Sequence, residues 1–440
     1  MDILKNAISN YFDLKGLNTN IKRELLAGFT TFISMAYILF VNPEILGASG
    51  MDKGAVFTAT ALASAIGCIL MGILAKYPIA TAPSLGINAF FAYSVCIGMK
   101  IPWQTTLAGV FVASVIFLLI TVFKLREMII DAIPADLKAA ISAGIGLFIA
   151  FIGLQGGGLI VANKSTLVSL GSFSGTTWVT IFGLVVVAIL MVMRVPGAIF
   201  IGMVLSAIFG IITGNIAVPT GIVAPAPSMD QTFLVALQHL KDINTLQMWI
   251  VVLTFLLVTF FDTAGTLIAL AQQAGFLTNN KMPRVGKALM SDSTAMLCGS
   301  LFGTSPVGAY VESSAGIAVG GRSGLTAVTT GFLFIFGLFF SPLLTVATSQ
   351  VTAPALIIVG VLMAQSMAQI TWTKLEIAIP SFLIVAGMPL TYSISDGLAL
   401  GFIAYPITMI AAKRGKEVPA LMYGLFFVFL IFFWVLNNGK

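Results

Sequence analysis

Two carboxylates in this chain stand where carboxylates are costly. Asp262 lies in the middle of the apolar run LLVTFFDTAGTLIAL, and Glu312 follows a Pro/Gly break in GTSPVGAYVESSAG. A charge at mid-bilayer depth costs at least ~2.5 kcal/mol even on insertion scales, so an acid there is a functional candidate. Neither has a Lys or Arg in its own run. Burial disfavours the ionised carboxylate, which brings proton uptake and release within reach of neutral pH, as a proton-coupling site needs. A half-helix starting after Pro306 would favour ionised Glu312 through its dipole. The two effects oppose each other and leave open which acid holds the proton.

Asn88 lies just past a similar break in IATAPSLGINAFFAY, and its amide offers both donors and acceptors. Pro83 and Pro306 each remove a backbone donor and stop a helix from running through. The segments before them suit short extended strands, allowed at that depth only where they are buried in protein or line a cavity. Phe90, Phe91, Phe260 and Phe261 flank these positions and could stack a flat ligand. Four other acids sit near run ends: Glu24 and Glu44 flank the first run, and Asp292 and Asp396 lie where water reaches. Cys68, Cys96 and Cys298 are scattered in apolar runs beside a lone His239, a pattern that excludes a zinc or iron–sulfur site.

The elements that must hold these residues are membrane spans. Hydrophobic residues make up 58% of the chain and charged ones 9%, against roughly 25% charged in soluble proteins. Runs near the length needed for a bilayer core recur throughout. They fall at about 24–46, 55–75, 79–98, 104–123, 137–155, 176–194 and 197–214, then 248–271, 290–304, 306–321, 324–348, 353–370, 375–391 and 394–412. The chain thus divides into a surface segment (1–23), a first set of seven (24–214), an external linker (215–247), a second set of seven (248–412) and a C-terminal apolar segment (413–440). The last run, 418–437, either crosses or lies along the membrane. Apolar residues at helical spacing in the first 12 positions suggest a short surface helix, with no cleavable signal. The basic connection FLTNNKMPRVGKALMSDSTA suggests another.

Orientation follows from charge. With the N-terminus in the cytoplasm, Lys22, Arg23, Lys76, Lys138, Arg194, Lys287, Arg322, Lys374 and Lys413 fall inside, while Lys53, Lys100, Lys164 and Lys241 fall outside. The net charge of +6 is read the same way, with no nucleic-acid partner. Two odd-numbered sets then run in opposite directions, as in an inverted repeat. The third member of each set is short and broken, the pattern that points to a transporter's binding site.

The blocks RELLAGFTTFISMAYILFVNPEIL, APSLGINAFFAY, FFDTAGTLIALAQQAGF, NKMPRVGKALMSDS, GTSPVGAYVESSAGIAVGGRSGLTA and IPSFLIVAGMPLTYSISDGLALG carry a further signal. Across nearly the whole chain the sequence resembles the AzgA-like purine permeases of the nucleobase/ascorbate transporter superfamily. The resemblance implies an all-α polytopic fold of 14 spans in two inverted seven-span repeats, spans 3 and 10 being broken by short extended segments, with core and gate domains. It implies proton symport of adenine, guanine or hypoxanthine across the cell membrane by a homodimer without cofactors. Asp262, Glu312 and Asn88 match the acids and the amide of the family's blocks. With Phe90, Phe261, Thr259 and Ser305 they form the candidate substrate site, and Asp262 and Glu312 the candidate proton-coupling pair. Thr259 stands where many relatives carry another acid, and SPVGAY where relatives carry more Ser/Thr, so the preferred purine stays open. A same-fold carrier of a pyrimidine or small anion is the nearest alternative, a channel the next. No cofactor motif, nucleophile–base pair or metal cluster suggests an enzyme.

Overall fold

In a computed structural model, which describes residues 2–123, 133–276 and 282–438, the chain is a helical bundle. The helices run α1 (Asp2–Tyr11), α2 (Ile21–Met35), α3 (Ile38–Gly47), α4 (Lys53–Leu70), α5 (Leu85–Ala89), α6 (Trp103–Val122), α7 (Ala135–Gly156), α8 (Gly175–Val192) and α9 (Ala198–Ile212). They continue as α10 (Val235–Gln238), α11 (Leu246–Gln273), α12 (Val285–Phe302), α13 (Ser313–Ala318), α14 (Gly324–Gly337), α15 (Ser349–Ala364), α16 (Leu375–Thr391), α17 (Ile394–Ala411) and α18 (Ala420–Asn438). Among the described residues, nine helices are long and apolar enough to cross a membrane, counting α2 with α3 and α4 with its π-helical extension. The chain is a multi-pass membrane protein.

Several expectations need correcting. The ninth apolar run begins at Val285 rather than near 290, so the described part of the basic connection feeds directly into α12 without a separate surface helix. Asp292 is consequently inside α12 and fully buried, not at a wet end. The first run is two helices, α2 and α3, with Ala36 and Tyr37 at their junction. A hairpin of β2 (Ile160–Asn163) and β3 (Leu167–Leu170) follows α7. Asn163 builds its turn by accepting from the backbone N–H groups of Ser165 (2.8 Å) and Thr166 (3.1 Å). Nothing in the apolar pattern marked this hairpin, because it lies in a connection rather than a run.

The third and tenth runs are broken as expected. Each contains a short strand, β1 (Thr81–Pro83) and β4 (Val307–Ala309), and the two pair antiparallel with Ala82 opposite Gly308. The ladder extends past both ends. Ser84 N–H donates to the Pro306 carbonyl (3.0 Å), and Tyr310 N–H donates to the Ala80 carbonyl (2.9 Å). Tyr310 Oη also donates to the Pro83 carbonyl (2.8 Å). Every residue of both strands is buried. Extended backbone inside a membrane protein must satisfy its polar groups internally, and these strands do so on each other. Beyond the break, β1 leads into α5 and a π-helical stretch, Phe90–Gly98, while β4 leads into the six-residue α13.

Small residues bring the helices to this crossing. A Cβ on Gly67 of α4 would lie 2.2 Å from Thr81 Oγ1 and 2.8 Å from Ala295 Cβ. One on Gly324 would lie 2.0 Å from the Gly72 carbonyl oxygen. Such close approach is how helices gain packing where lipid competes equally for apolar surface. Glu24, fully buried on α2, caps α14 from outside. Its carboxylate accepts from Arg322 N–H (3.0 Å), Ser323 N–H (3.1 Å), Ser323 Oγ (2.8 Å), Thr326 Oγ1 (2.6 Å) and Thr19 Oγ1 (2.8 Å). A carboxylate at a helix N-terminus is favoured by the exposed N–H groups and the dipole.

Two substitutions test this packing. Glu24→Ala strands several buried donors and should cost at least about 2 kcal/mol. Thermal melting of purified protein would read this as a clear drop in midpoint, and an unchanged midpoint would contradict the capping role. Gly67→Ala should force α4 away from β1, at a cost of roughly 1–3 kcal/mol of overpacking. A Gly67→Ala protein that melts and transports like wild type would show that the approach is not tight.

Candidate functional site

The paired strands border the segments that carry the two candidate acids. Asp262, half-buried on α11, accepts a hydrogen bond from Ser84 Oγ at 2.7 Å, so it faces the residue that follows β1. It also borders β4: a Cβ on Gly308 would lie 3.7 Å from Asp262 Oδ2 and 3.2 Å from Thr263 Oγ1. Glycine at 308 therefore lets the strand pass beside α11. Glu312 occupies the N-cap position of α13, yet its side chain makes no capping bond. It turns instead to Tyr37, whose hydroxyl donates to Oε1. Beside its place at the N-terminus of α13, Glu312 thus has a specific donor from the α2–α3 junction.

Asn88 sits on α5 and is fully buried. Its Nδ2 donates to Asn42 Oδ1 at 2.6 Å. Asn42 Nδ2 donates in turn to Thr60 Oγ1 (2.7 Å) and Thr304 Oγ1 (2.8 Å). Asn88 is therefore tied to α3, α4 and the segment preceding β4. Among the described residues Asn88 Oδ1 has no hydrogen-bond partner.

Thr259 and Ser305 are fully buried, and their hydroxyls likewise have no partner among the described residues, as does Thr263 beside Asp262. Buried polar atoms of this kind are rare, and each calls for an explanation. Phe90 is fully buried with its ring edge-on to Phe255 at 5.0 Å; Phe91 tilts toward the same ring at 6.4 Å. Phe260 packs edge-on to Phe117 at 6.2 Å. These rings are engaged with one another. The Phe261 side chain lies outside the described residues. Among the described residues no three His, Cys, Asp or Glu side chains converge as metal ligands would. The available chemistry is hydrogen bonding and proton exchange.

Three partners escaped sequence reasoning: Tyr37, Ser84 and Asn42. Ser84 follows Pro83 directly, and Asn42 precedes a proline inside a helix, which was a usable signal. Tyr37 had none, since a lone Tyr in an apolar run is ordinary.

Comparisons with known proteins identify the family and the fold. The model of the Permease family, Xan_ur_permease, matches residues 22–400. The guanine/hypoxanthine permease PbuG of Bacillus subtilis is 55% identical over 436 residues, covering 97% of this chain and 99% of that protein. The adenine permease AdeP of Escherichia coli is 40% identical over 432 residues, covering 97% and 96%. Among solved structures, the transmembrane domain of the cyanobacterial bicarbonate transporter BicA superposes with a TM-score of 0.61 at 16% identity, covering 89% of this chain and 97% of that one. SLC26A9 superposes with a TM-score of 0.56 at 12% identity, covering 93% and 69%. The fold is theirs, the sequence match is to nucleobase carriers, and the chain belongs to the Xan_ur_permease family of permeases.

Proposed function

We propose that this permease carries purine nucleobases, among them adenine, guanine or hypoxanthine, across the cell membrane together with protons by alternating access. The observation that carries the reading is the β1–β4 crossing, which Asp262 borders through Ser84 and Gly308 and which Glu312 follows three residues after β4. A purine is flat, neutral and rich in N–H groups, and carboxylates accept such hydrogen bonds strongly. The names of the similar permeases point the same way. The same-fold neighbours include a bicarbonate transporter and an anion transporter. Two intramembrane carboxylates make a poor anion site, which favours the nucleobase reading over that one.

The architecture in this reading is fourteen crossings in two inverted sets, 24–214 and 248–412, joined by an outer linker, with the N-terminus in the cytoplasm. Runs five to seven and twelve to fourteen form a gate against which the remaining core moves, and two chains pair as a homodimer. The segment 413–440 lies beyond this pattern, its helix packing on α17 through Phe429 and Phe402 (5.7 Å). Three contacts between core and gate lie at the end assigned to the outside. Ser349 Oγ donates to Glu44 Oε1 at 2.6 Å, Ser94 Oγ donates to the Tyr392 carbonyl at 3.3 Å, and the Tyr93 and Tyr392 rings meet edge-on at 6.0 Å.

Purine uptake in cells lacking their own permeases should saturate, rise with an inward proton gradient and collapse with a protonophore. Uptake that ignores protonophore but needs sodium would sink proton coupling.

The two acids should separate by role. Tyr37 engages one oxygen of Glu312, which leaves the other to accept a purine N–H. Glu312→Gln should weaken binding about ten- to hundredfold, the worth of a hydrogen bond to a charged group. Asp262, held by Ser84, is the proton carrier in this scheme. Asp262→Asn should retain binding and exchange while losing proton-driven accumulation. Binding to purified protein, compared with uptake and counterflow in vesicles, reads both. An Asp262→Asn variant that still concentrates substrate, or a Glu312→Gln variant that binds like wild type, would reverse the assignment.

A further inference from the structure

The hydrogen bonds around Asn88 have a direction, and it can be worked out from one atom that has no choice. Thr60 Oγ1 lies 2.6 Å from the Val56 carbonyl oxygen one turn earlier. A carbonyl cannot donate, so the single hydroxyl proton of Thr60 is committed there, the back-bonding common for Thr in helices. Toward Asn42, 2.7 Å away, Thr60 can therefore only accept. That forces the Asn42 NH2 group onto Thr60 and its carbonyl oxygen onto Asn88. Asn88 must then offer its own NH2 group at that 2.6 Å contact. Its carbonyl oxygen is what remains. Amide orientation is ordinarily inferred from the network around it, and here the network admits one solution.

The Asn88 oxygen is buried and has no partner among the described residues. Leaving an acceptor buried and unpaired is unfavourable, which argues that a ligand group or water completes it during function. Thr304 adds a second anchor, since Asn42 Nδ2 reaches it at 2.8 Å from the segment just before β4. The relay thus runs from a helix backbone carbonyl on α4, through Thr60 and Asn42, to the candidate site, and it ties both broken runs to α3.

We propose that Thr60 and Asn42 are positioning residues that lock the Asn88 amide with its carbonyl toward the substrate, so that Asn88 reads a ring N–H donor and rejects an acceptor at that position. This rests on the purine reading above and deepens it. It makes three acceptors, Asp262, Glu312 and Asn88, the polar face presented to a base. Thr60 acts through Asn42 and Asn88 and has no contact with substrate in this scheme.

The test uses the full-length permease in cells or vesicles, with the transported base competed against its N-methyl derivatives, each blocking one ring nitrogen. The readout is the ratio of inhibition constants, methylated over parent, at each position. At one position Asn88→Ala should shrink this ratio about three- to tenfold, the worth of a neutral hydrogen bond. Thr60→Val, nearly isosteric, should shrink the ratio at that same position, because Asn42 and Asn88 are then free to flip. Thr60→Ser, which keeps the acceptor, should restore it. In the Asn88→Ala background Thr60→Val should add nothing, as expected for residues acting as one unit. Thr60→Ala serves as a second variant if the valine protein melts early. A purely structural Thr60 would lower maximal uptake for every base and leave the ratios unchanged, and that result would overturn the proposal. So would a ratio that depends on Asn88 but not on Thr60. Wild-type protein that takes up no purine base would overturn the functional reading itself, a different outcome from either.

Discussion

The fold depends on how two interrupted helices satisfy their backbones in the membrane interior. Pro83 and Pro306 end any continuous helix, and the freed N–H and C=O groups have no water to turn to. Pairing β1 with β4 solves both problems at once, because each strand supplies what the other lacks. That pairing requires the segments to meet, so it also fixes where α5, α13 and α11 stand. Asp262 reaches Ser84 and Gly308 because the strands cross beside α11. Glycine at 67 allows the approach, where a single extra carbon would collide with Thr81, and at 308 an extra carbon would press on Thr263.

Around this crossing the first run behaves as a brace. Its α2 helix holds α14 through the Glu24 carboxylate. Its break places Tyr37 against Glu312, and its α3 helix places Asn42 between Asn88 and the two threonines. These bonds connect elements that are remote in the chain. They engage Glu312 and Asn88 through donors and leave the Asn88 oxygen and the Thr259, Thr263 and Ser305 hydroxyls without partners among the described residues. In the proposed reading these groups would take the N–H donors and ring acceptors of a neutral base.

Sequence patterning carried much of this. Composition and run length placed the chain in a bilayer, since nothing else accommodates so little charge over so long a chain. Prolines and glycines at matching places in the two halves marked the breaks, and the cost of an isolated acid at mid-membrane depth marked Asp262 and Glu312. These are one-dimensional signals, because the penalty belongs to the residue and its immediate run. The start of α12 was misplaced because its first turns are polar and read as a connection.

The partners were another matter, and only the tertiary structure decided them. Thr81 pairs with Ala309, Tyr37 bonds Glu312, and Asn42 bonds Thr304, each across more than 200 residues of chain. A lone hydroxyl in an apolar run costs too little to stand out, so Tyr37 and Thr60 leave no mark until another segment arrives to use them. The direction of the Thr60–Asn42–Asn88 chain is further removed still. It depends on which oxygen already holds a proton bonded elsewhere, and that is settled by three-dimensional contact alone.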